Sequence, residues 1–384
     1  MRRGRLRDAA LLETAPSSEV PARIEEVEEL NMQFGSRFRR WIGVALLGFV
    51  VAVLLSACDN SPSMMNPAGP IAETERGMAW LVFGIAAVVF VGVTSVLMYS
   101  VFRFRARPDS PEPRQVHGNT PIELVWTITP TVILFILLAI TVSTMFALGQ
   151  PSDPNTVTVT AIGHQWWWEF QYPNPSNPSQ MLVTADEMHM PVNTVVQINL
   201  VSDNVIHSLW VPQLGGKTDV IPGHNNKMWL KATQTGNFRG ECTEYCGAQH
   251  AHMDFLVIAQ SSSDYQAWLS GLANPAAAPA TGSQEALGLA VFKQNGCAAC
   301  HTINGVQGAE IGKIGPNLTH FGSRSLIAGG VLDNNTANLG DWILHAQTVK
   351  PAVDMPSFDG SPGSQGNISQ TDLDNLVTYL QSLK

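Results

Sequence analysis

The segment Cys242-Thr-Glu-Tyr-Cys246-Gly-Ala-Gln-His250-Ala-His-Met253 brings two thiols, an imidazole and a thioether together on one short stretch. Soft sulfur donors with imidazole nitrogen select copper over hard, oxygen-seeking ions, and the His/Cys/Met mixture suits electron transfer better than structural zinc. Two cysteines on one loop can turn both sulfurs into a single small volume, where two thiolates could bridge two copper ions. A further donor must come from elsewhere, and His207, in the apolar strand-like run Val205-Ile-His-Ser-Leu-Trp210, is the best placed. A Cys242–Cys246 disulfide or a zinc loop are the alternatives. Zinc more often uses paired Cys-x-x-Cys elements, and a disulfide leaves His250 and Met253 unexplained.

A second group lies further on. Cys297-Ala-Ala-Cys300-His301 is the attachment pattern for a c-type haem, with two thioethers to the porphyrin and His301 as proximal ligand. Alone, the pentapeptide also fits a redox dithiol or half a zinc site. Met355, in Asp354-Met-Pro-Ser-Phe358, is the only methionine downstream of His301 and stands where a second axial ligand is needed. His/Met ligation raises the reduction potential; His320 and His345 are the competing axial donors. Gly315-Pro-Asn-Leu318 resembles the cytochrome c segment whose proline carbonyl orients the proximal histidine.

The copper loop, together with Gly163-His-Gln-Trp-Trp-Trp-Glu-Phe-Gln-Tyr172 and Val211-Pro-Gln-Leu-Gly-Gly-Lys-Thr-Asp-Val-Ile-Pro-Gly223, resembles subunit II of cytochrome c oxidase, from the membrane segments to about residue 260. The resemblance implies a dinuclear CuA centre held by His207, His250, bridging Cys242 and Cys246, Met253 and the backbone carbonyl of Glu244. It further implies a magnesium site at the Glu244 side chain, facing subunit I, and Trp166 as the aromatic residue where electrons enter. Position 204, an aspartate in many relatives, is Asn204 here, which removes any carboxylate role at that spot.

These sites need elements to carry them. Of five cysteines, the remaining one is Cys58, after an apolar run from Trp41 to Leu55 preceded by Arg37, Arg39 and Arg40. A charged start, a short apolar stretch and small residues make an export signal, and the cysteine after the small pair resembles a bacterial lipoprotein signal with a lipidated Cys58. The alternative is a retained first helix, short for a span. Residues 1–31, with an acidic run at 25–29, precede a signal that could start at Met32 and are expected to be a misassigned start or a disordered extension. Two stretches, about Met78 to Phe102 and Trp126 to Leu148, are long enough to cross a bilayer. The loop between them carries Arg103, Arg105, Arg107 and Arg114, which places it in the cytoplasm and both metal domains outside. Thr120-Pro-Ile-Glu123 reads as a capping box with Thr120 as N-cap. The pattern His117-Gly-Asn119, Ile122-Glu123 and Trp126-Thr-x-x-Pro130 resembles the subunit II segment in which this glutamate stands at the mouth of a proton-uptake channel.

After the second helix, runs at 156–160, 195–201 and 255–259 alternate or are rich in β-branched residues and are bounded by Pro, Asn and Gly. They predict a Greek-key β-sandwich, cupredoxin-like by the resemblance. Ala273 to Ser283 is poor in large apolar residues and predicts a semi-flexible linker. Beyond Gln284 the pattern is helical, with Ser369 capping a helix that carries Leu373, Leu376, Val377, Leu380 and Leu383.

The expected fold class is thus a multidomain membrane protein: a two-helix transmembrane hairpin, a cupredoxin-like Greek-key sandwich and an all-α class I cytochrome c domain. The expected divisions are 1–31 as extension, 32–57 signal peptide, 58–77 external segment, 78–150 two spanning helices with cytoplasmic loop 103–120, 151–270 copper domain, 271–284 linker and 285–384 cytochrome domain. A net charge of −9 gives no support for nucleic-acid binding. The tryptophans at 166–168 could alternatively be a stacking platform or an interfacial belt. His164, His189, His224 and His252 are expected to be structural or at the surface. The resemblance implies the bacterial caa type of terminal oxidase, in a bacterial cytoplasmic membrane. Its partners would be oxidase subunit I, the other oxidase subunits, membrane lipid and cytochrome c or another respiratory donor. A copper-containing nitric oxide reductase subunit and a free-standing membrane-anchored electron carrier are the alternatives.

Overall fold

A computed structural model of the chain describes residues 46, 48–50, 62–105, 111–112, 114–149, 151 and 153–384. The expected extension, most of the signal segment, Cys58 and Arg107 lie outside the described residues. The chain divides into two units, residues 1–61 and 62–384. In the first, residues 46 and 48–50 are helical; all that follows concerns the second.

Two helices, α1 (Pro70–Arg103) and α2 (Thr120–Ala147), are long and apolar enough to cross a membrane, and their windows of highest hydropathy have no buried residue. Phe83, Phe90, Leu134 and Phe135 point outward, as side chains meant for lipid do. The first helix starts at Pro70, ahead of the Met78 start expected from apolar composition. Its first turn serves a different purpose: Ile71 and Ala72 are buried against the soluble domain rather than facing lipid. The Ala68 amide donates to the Gln213 carbonyl at 2.6 Å, and the Ala68 carbonyl accepts from the Thr233 amide at 2.8 Å. At the other helix, the indole of Trp229 donates to the Leu148 carbonyl at 3.1 Å.

Alternating apolar residues fold 157–260 into ten strands: β1 (Val157–His164), β2 (Trp167–Asn174), β3 (Asn177–Ala185), β4 (Glu187–Pro191), β5 (Val196–Ser202), β6 (His207–Val211), β7 (Gly215–Val220), β8 (Asn226–Leu230), β9 (Gly236–Cys242) and β10 (Asp254–Gln260). They form two five-stranded sheets, ordered β3-β2-β1-β5-β8 and β4-β10-β9-β6-β7. Pairs β1/β5 and β4/β10 are parallel and the others antiparallel. The inward faces carry Trp168, Phe170, Ile198, Leu200, Leu209, Phe255 and Val257, all inaccessible to solvent. Fully burying each large apolar side chain contributes roughly 1.5–3 kcal/mol, so this core is a stiff base for the loops at its edge.

Helix α3 (Ser262–Leu272) closes the sandwich with Tyr265 and Leu269, and Trp268 stacks on His189 with ring centres 3.9 Å apart. The 273–283 segment does not run free. The Ala276 amide donates to the Asn304 carbonyl at 2.9 Å, and Ser283 caps the next helix. The last domain is built from α4 (Gln284–Gln294), α5 (Thr336–Val349), α6 (Gln370–Ser382) and a two-residue ladder of β11 (Leu326–Ile327) with β12 (Leu332–Asp333). Helices α4 and α6 cross at Gly288, where a Cβ would lie 2.1 Å from the Asn375 carbonyl oxygen. Glycine lets the two backbones touch there, and Ser369 caps α6 as expected.

Candidate functional site

The copper-type donors come from three places in the sandwich: the start of β6, the end of β9 and the loop into β10. His207 opens β6 and is fully buried. Cys242 ends β9, and Cys246, His250 and Met253 follow on the loop, with His250 on a single 3₁₀ turn. The two sulfurs are 3.8 Å apart, too far for the roughly 2.05 Å of a disulfide, and both cysteines are free. Cys242 Sγ lies 3.9 Å from His207 Nδ1 and 3.4 Å from the Glu244 carbonyl oxygen. Cys246 Sγ lies 3.7 Å from His250 Nδ1 and 3.8 Å from Met253 Sδ. His207, Cys242 and Cys246 form a compact, buried group of possible metal ligands. The six positions named from the resemblance therefore converge on the space between the sulfurs. Two thiolates, two imidazoles, a thioether and a carbonyl are a donor set that fits copper.

The thiols are electrostatically unlike. The hydrogen bond shared with Cys246, helped by His207 and nearby backbone, holds the Cys242 thiol well below the usual thiol range, against burial. The same bond pushes Cys246 up. Sharing one proton between the two sulfurs favours a thiolate, the form that binds metal.

His207 Nε2 donates to Asn204 Oδ1 at 3.1 Å, which leaves Nδ1 facing the sulfurs. Such partners fix the tautomer of a ligating histidine, and Asn204 does so without a carboxylate's charge. Gly163 makes room: a Cβ there would lie 2.8 Å from the His207 ring. Trp168 meets that ring edge-on at 5.9 Å.

The haem-type residues line a second cavity, with Cys297, Cys300, His301, Pro316, Met355 and Phe358 among its walls. His301 Nδ1 donates to the Pro316 carbonyl at 2.8 Å, and burial lowers its pKa, keeping the imidazole neutral with Nε2 free to ligate. A Cβ at Gly315 would lie 2.5 Å from the His301 ring. The rivals point elsewhere: His320 binds the Asn274 carbonyl and His345 binds Asp359. The residues present fit a covalent haem.

One wall of this cavity belongs to the sandwich, through Gln165, Trp166, Trp167 and Asp186. Trp166 is 8% exposed and belongs to the apolar core of the sandwich. Its indole donates to the Cys246 carbonyl at 3.0 Å, and Gln165 Nε2 donates to the same oxygen at 2.8 Å. Sequence reasoning picked out Trp166 but not Gln165, Asp186, Glu187 or Lys350. Asp186 is buried, accepts from the Trp168 amide at 2.9 Å and is pushed up to about 6 by burial, opposed by that bond and by Lys350 and Arg324. Glu187 accepts from the Ser325 amide at 2.5 Å.

Elsewhere, Glu123 sits exposed at the start of α2 and its Oε1 accepts from the Asn119 amide at 3.0 Å. The N-cap is Asn119, whose side chain accepts from the Ile122 amide, and not Thr120 as expected. Glu123 still reaches back to the cap amide, now across four residues rather than three. His252 turns from the sulfurs to bind Gln249 Oε1 at 2.7 Å, and His164 stacks on Trp167.

A membrane hairpin, a sulfur-and-imidazole sandwich loop and a Cys-x-x-Cys-His helical domain in one chain define a membrane-anchored redox protein with two metal sites. Residues 157–260 match the cytochrome c oxidase subunit II periplasmic domain, 59–143 its transmembrane domain and 285–384 cytochrome c. Cytochrome c oxidase subunit 2 of Alkalihalophilus pseudofirmus is 36% identical over 349 residues, covering 87% of this chain and 95% of that protein. The corresponding protein of Bacillus sp. strain PS3 is 34% identical, covering 90% and 98%. The crystal structure of the periplasmic domain of subunit II of cytochrome oxidase (CoxB) of Bradyrhizobium japonicum is 30% identical, covers 32% of this chain and 95% of that one, and has a TM-score of 0.29. The chain belongs to the cytochrome c oxidase subunit II family, in the form fused to a C-terminal cytochrome c domain. It is a membrane protein with its soluble part outside, and its two domain types imply copper and haem c. Neither the nitric oxide reductase nor the free-standing carrier is what the family match supports.

Proposed function

We propose that this subunit takes electrons from an external respiratory donor at the cytochrome domain (285–384) and delivers them through the copper domain (151–270) to the oxygen-reducing subunit I. When bound, the haem and the copper would supply one-electron transfer. Cys297, Cys300, His301 and Met355 would hold the haem. His207, Cys242, Cys246, His250, Met253 and the Glu244 carbonyl would hold copper. The observation that carries this reading is the wall of the haem cavity formed by Gln165 and Trp166, both bonded to the Cys246 carbonyl. Covalent fusion replaces docking of a diffusing cytochrome by a high effective concentration. In the assembled complex, a reduced c-type haem band with a seven-line mixed-valence copper resonance is expected; a mononuclear copper signal in a metal-replete sample would overturn the assignment.

Several finer assignments belong to the same proposal. Arg103, at the end of α1, and Arg105 and Arg114 beyond it support a cytoplasmic 103–120 segment in a bacterial inner membrane. Glu123, on that side, takes up protons for subunit I; Glu123→Gln should slow turnover with both metal spectra intact. Cys58 is the lipidated N-terminus after removal of 32–57, which intact-mass measurement of the mature chain tests. The Glu244 side chain shares a magnesium ion with subunit I, and manganese substitution read by paramagnetic resonance tests that site.

A further inference from the structure

We propose that Lys350 and the Gly329-Gly330 turn latch the cytochrome domain into one fixed seat on the copper domain, keeping the haem cavity against Trp166. The inference rests on the function proposed above and adds the residues that position its two halves. Lys350, at the end of α5, is 2% exposed although it carries an ammonium group. That group donates across the domain boundary to the Trp166 carbonyl at 2.6 Å and within its own domain to the Ala328 carbonyl at 2.9 Å. The acidic groups acting on it, Asp186 and Asp254, both belong to the copper domain. An ammonium ion leaves water only when such partners wait for it. A buried charge of this kind adds little stability, but it rejects arrangements that leave it unpaired.

The glycine turn is a second, independent observation. Gly329 and Gly330 have φ of +69° and +83°, where a side chain is strained. A Cβ on Gly329 would lie 2.3 Å from Lys350 Nζ and 2.6 Å from the Trp166 carbonyl oxygen, and one on Gly330 2.7 Å from Asp254 Cβ. Bare backbone is therefore pressed against the copper domain, and the Gly329 carbonyl accepts from the Asp254 amide at 2.9 Å. Gln249 Nε2, from the copper loop, donates to the Pro351 carbonyl at 2.7 Å, next to Lys350. The Lys350 bond ends on the backbone of Trp166, whose indole reaches the other way to Cys246. Lys350 is thus a positioning residue for transfer between the centres, acting through Trp166.

The test uses the assembled complex as wild type, Lys350→Met and Gly330→Ala, with flash reduction of the haem and optical detection of its reoxidation by copper. The wild-type rate is expected to be unchanged when viscosity is raised. Both variants should keep their haem and copper spectra, yet transfer about tenfold more slowly or worse, and now in a viscosity-dependent way. Wild-type transfer that slows with viscosity, or a variant with intact spectra and an undiminished rate, overturns the latch. Should a variant lose its haem, the wild-type viscosity response still decides. Absence of either metal signal in the wild type would instead sink the proposed function, and hydrogen exchange at the Asp254 amide would then read the latch on its own: protection supports it, free exchange refutes it.

Discussion

The indole nitrogen of Trp166 and the backbone carbonyl of Cys246 share a 3.0 Å hydrogen bond in a site closed to solvent. Trp166→Phe keeps an aromatic ring but deletes this donor, leaving Gln165 as the carbonyl's remaining partner from this segment. The expected result is a loss of about 1 kcal/mol of stability together with slower copper reduction, measured by stopped-flow with a chemical donor. Equal rates in variant and wild type would exclude the bond from the electron path.

Asn204 holds the Nε2 proton of a fully buried imidazole. Asn204→Ala should leave that proton unpaired and loosen the ring, lowering copper affinity by roughly 10- to 100-fold, as read by competition with a chelator. Asn204→Asp restores an acceptor and should recover most of the affinity. Loss of copper in both variants would mean that the side chain acts on something other than His207.

Gly288 sits where α4 crosses α6, with no space for a methyl group. Gly288→Ala is expected to force the helices apart, at about 1–3 kcal/mol. The yield of covalently attached haem should fall while the copper resonance persists. Equal damage at both sites would show that the two domains fold as one cooperative unit.

Burial lifts the Asp186 carboxyl from 3.8 to about 6. Because the folded-state value is raised, this group's contribution is fully present below the unfolded value and is lost as pH climbs through the folded one. Asp186→Asn, which stays neutral, should therefore gain in Tm relative to wild type between pH 4 and about 6.5, the difference levelling off above. A difference that does not change with pH would show that Asp186 ionises normally.

The donors of both sites were legible because most of them are neighbours along the chain: Cys242 to Met253 and Cys297 to His301 each occupy a single short segment. His207 stood out as an imidazole in an apolar strand. Lys350 and Asp186 left no such mark. Their partners lie across a domain boundary, and nothing local distinguishes a buried lysine from the surface lysines around it. Hydropathy located the lipid-facing length of α1 but not its start, because Ile71 and Ala72 pack on protein rather than lipid. The α2 cap moved from Thr120 to Asn119 because either residue can accept from a first-turn amide, and only backbone geometry chooses between them. The 273–283 segment is apolar-poor, as a free tether would be, yet Ala276 bonds to the cytochrome domain.

The first turn of α1 is buried in the sandwich, with Ala68 bonded to Gln213 and Thr233 and Ile71 pressed on Gly215. The membrane helix therefore works as a strut and not as a leash. The sandwich that carries Cys242 and Cys246 is thereby fixed in one orientation relative to the axis of that helix, rather than swinging from it.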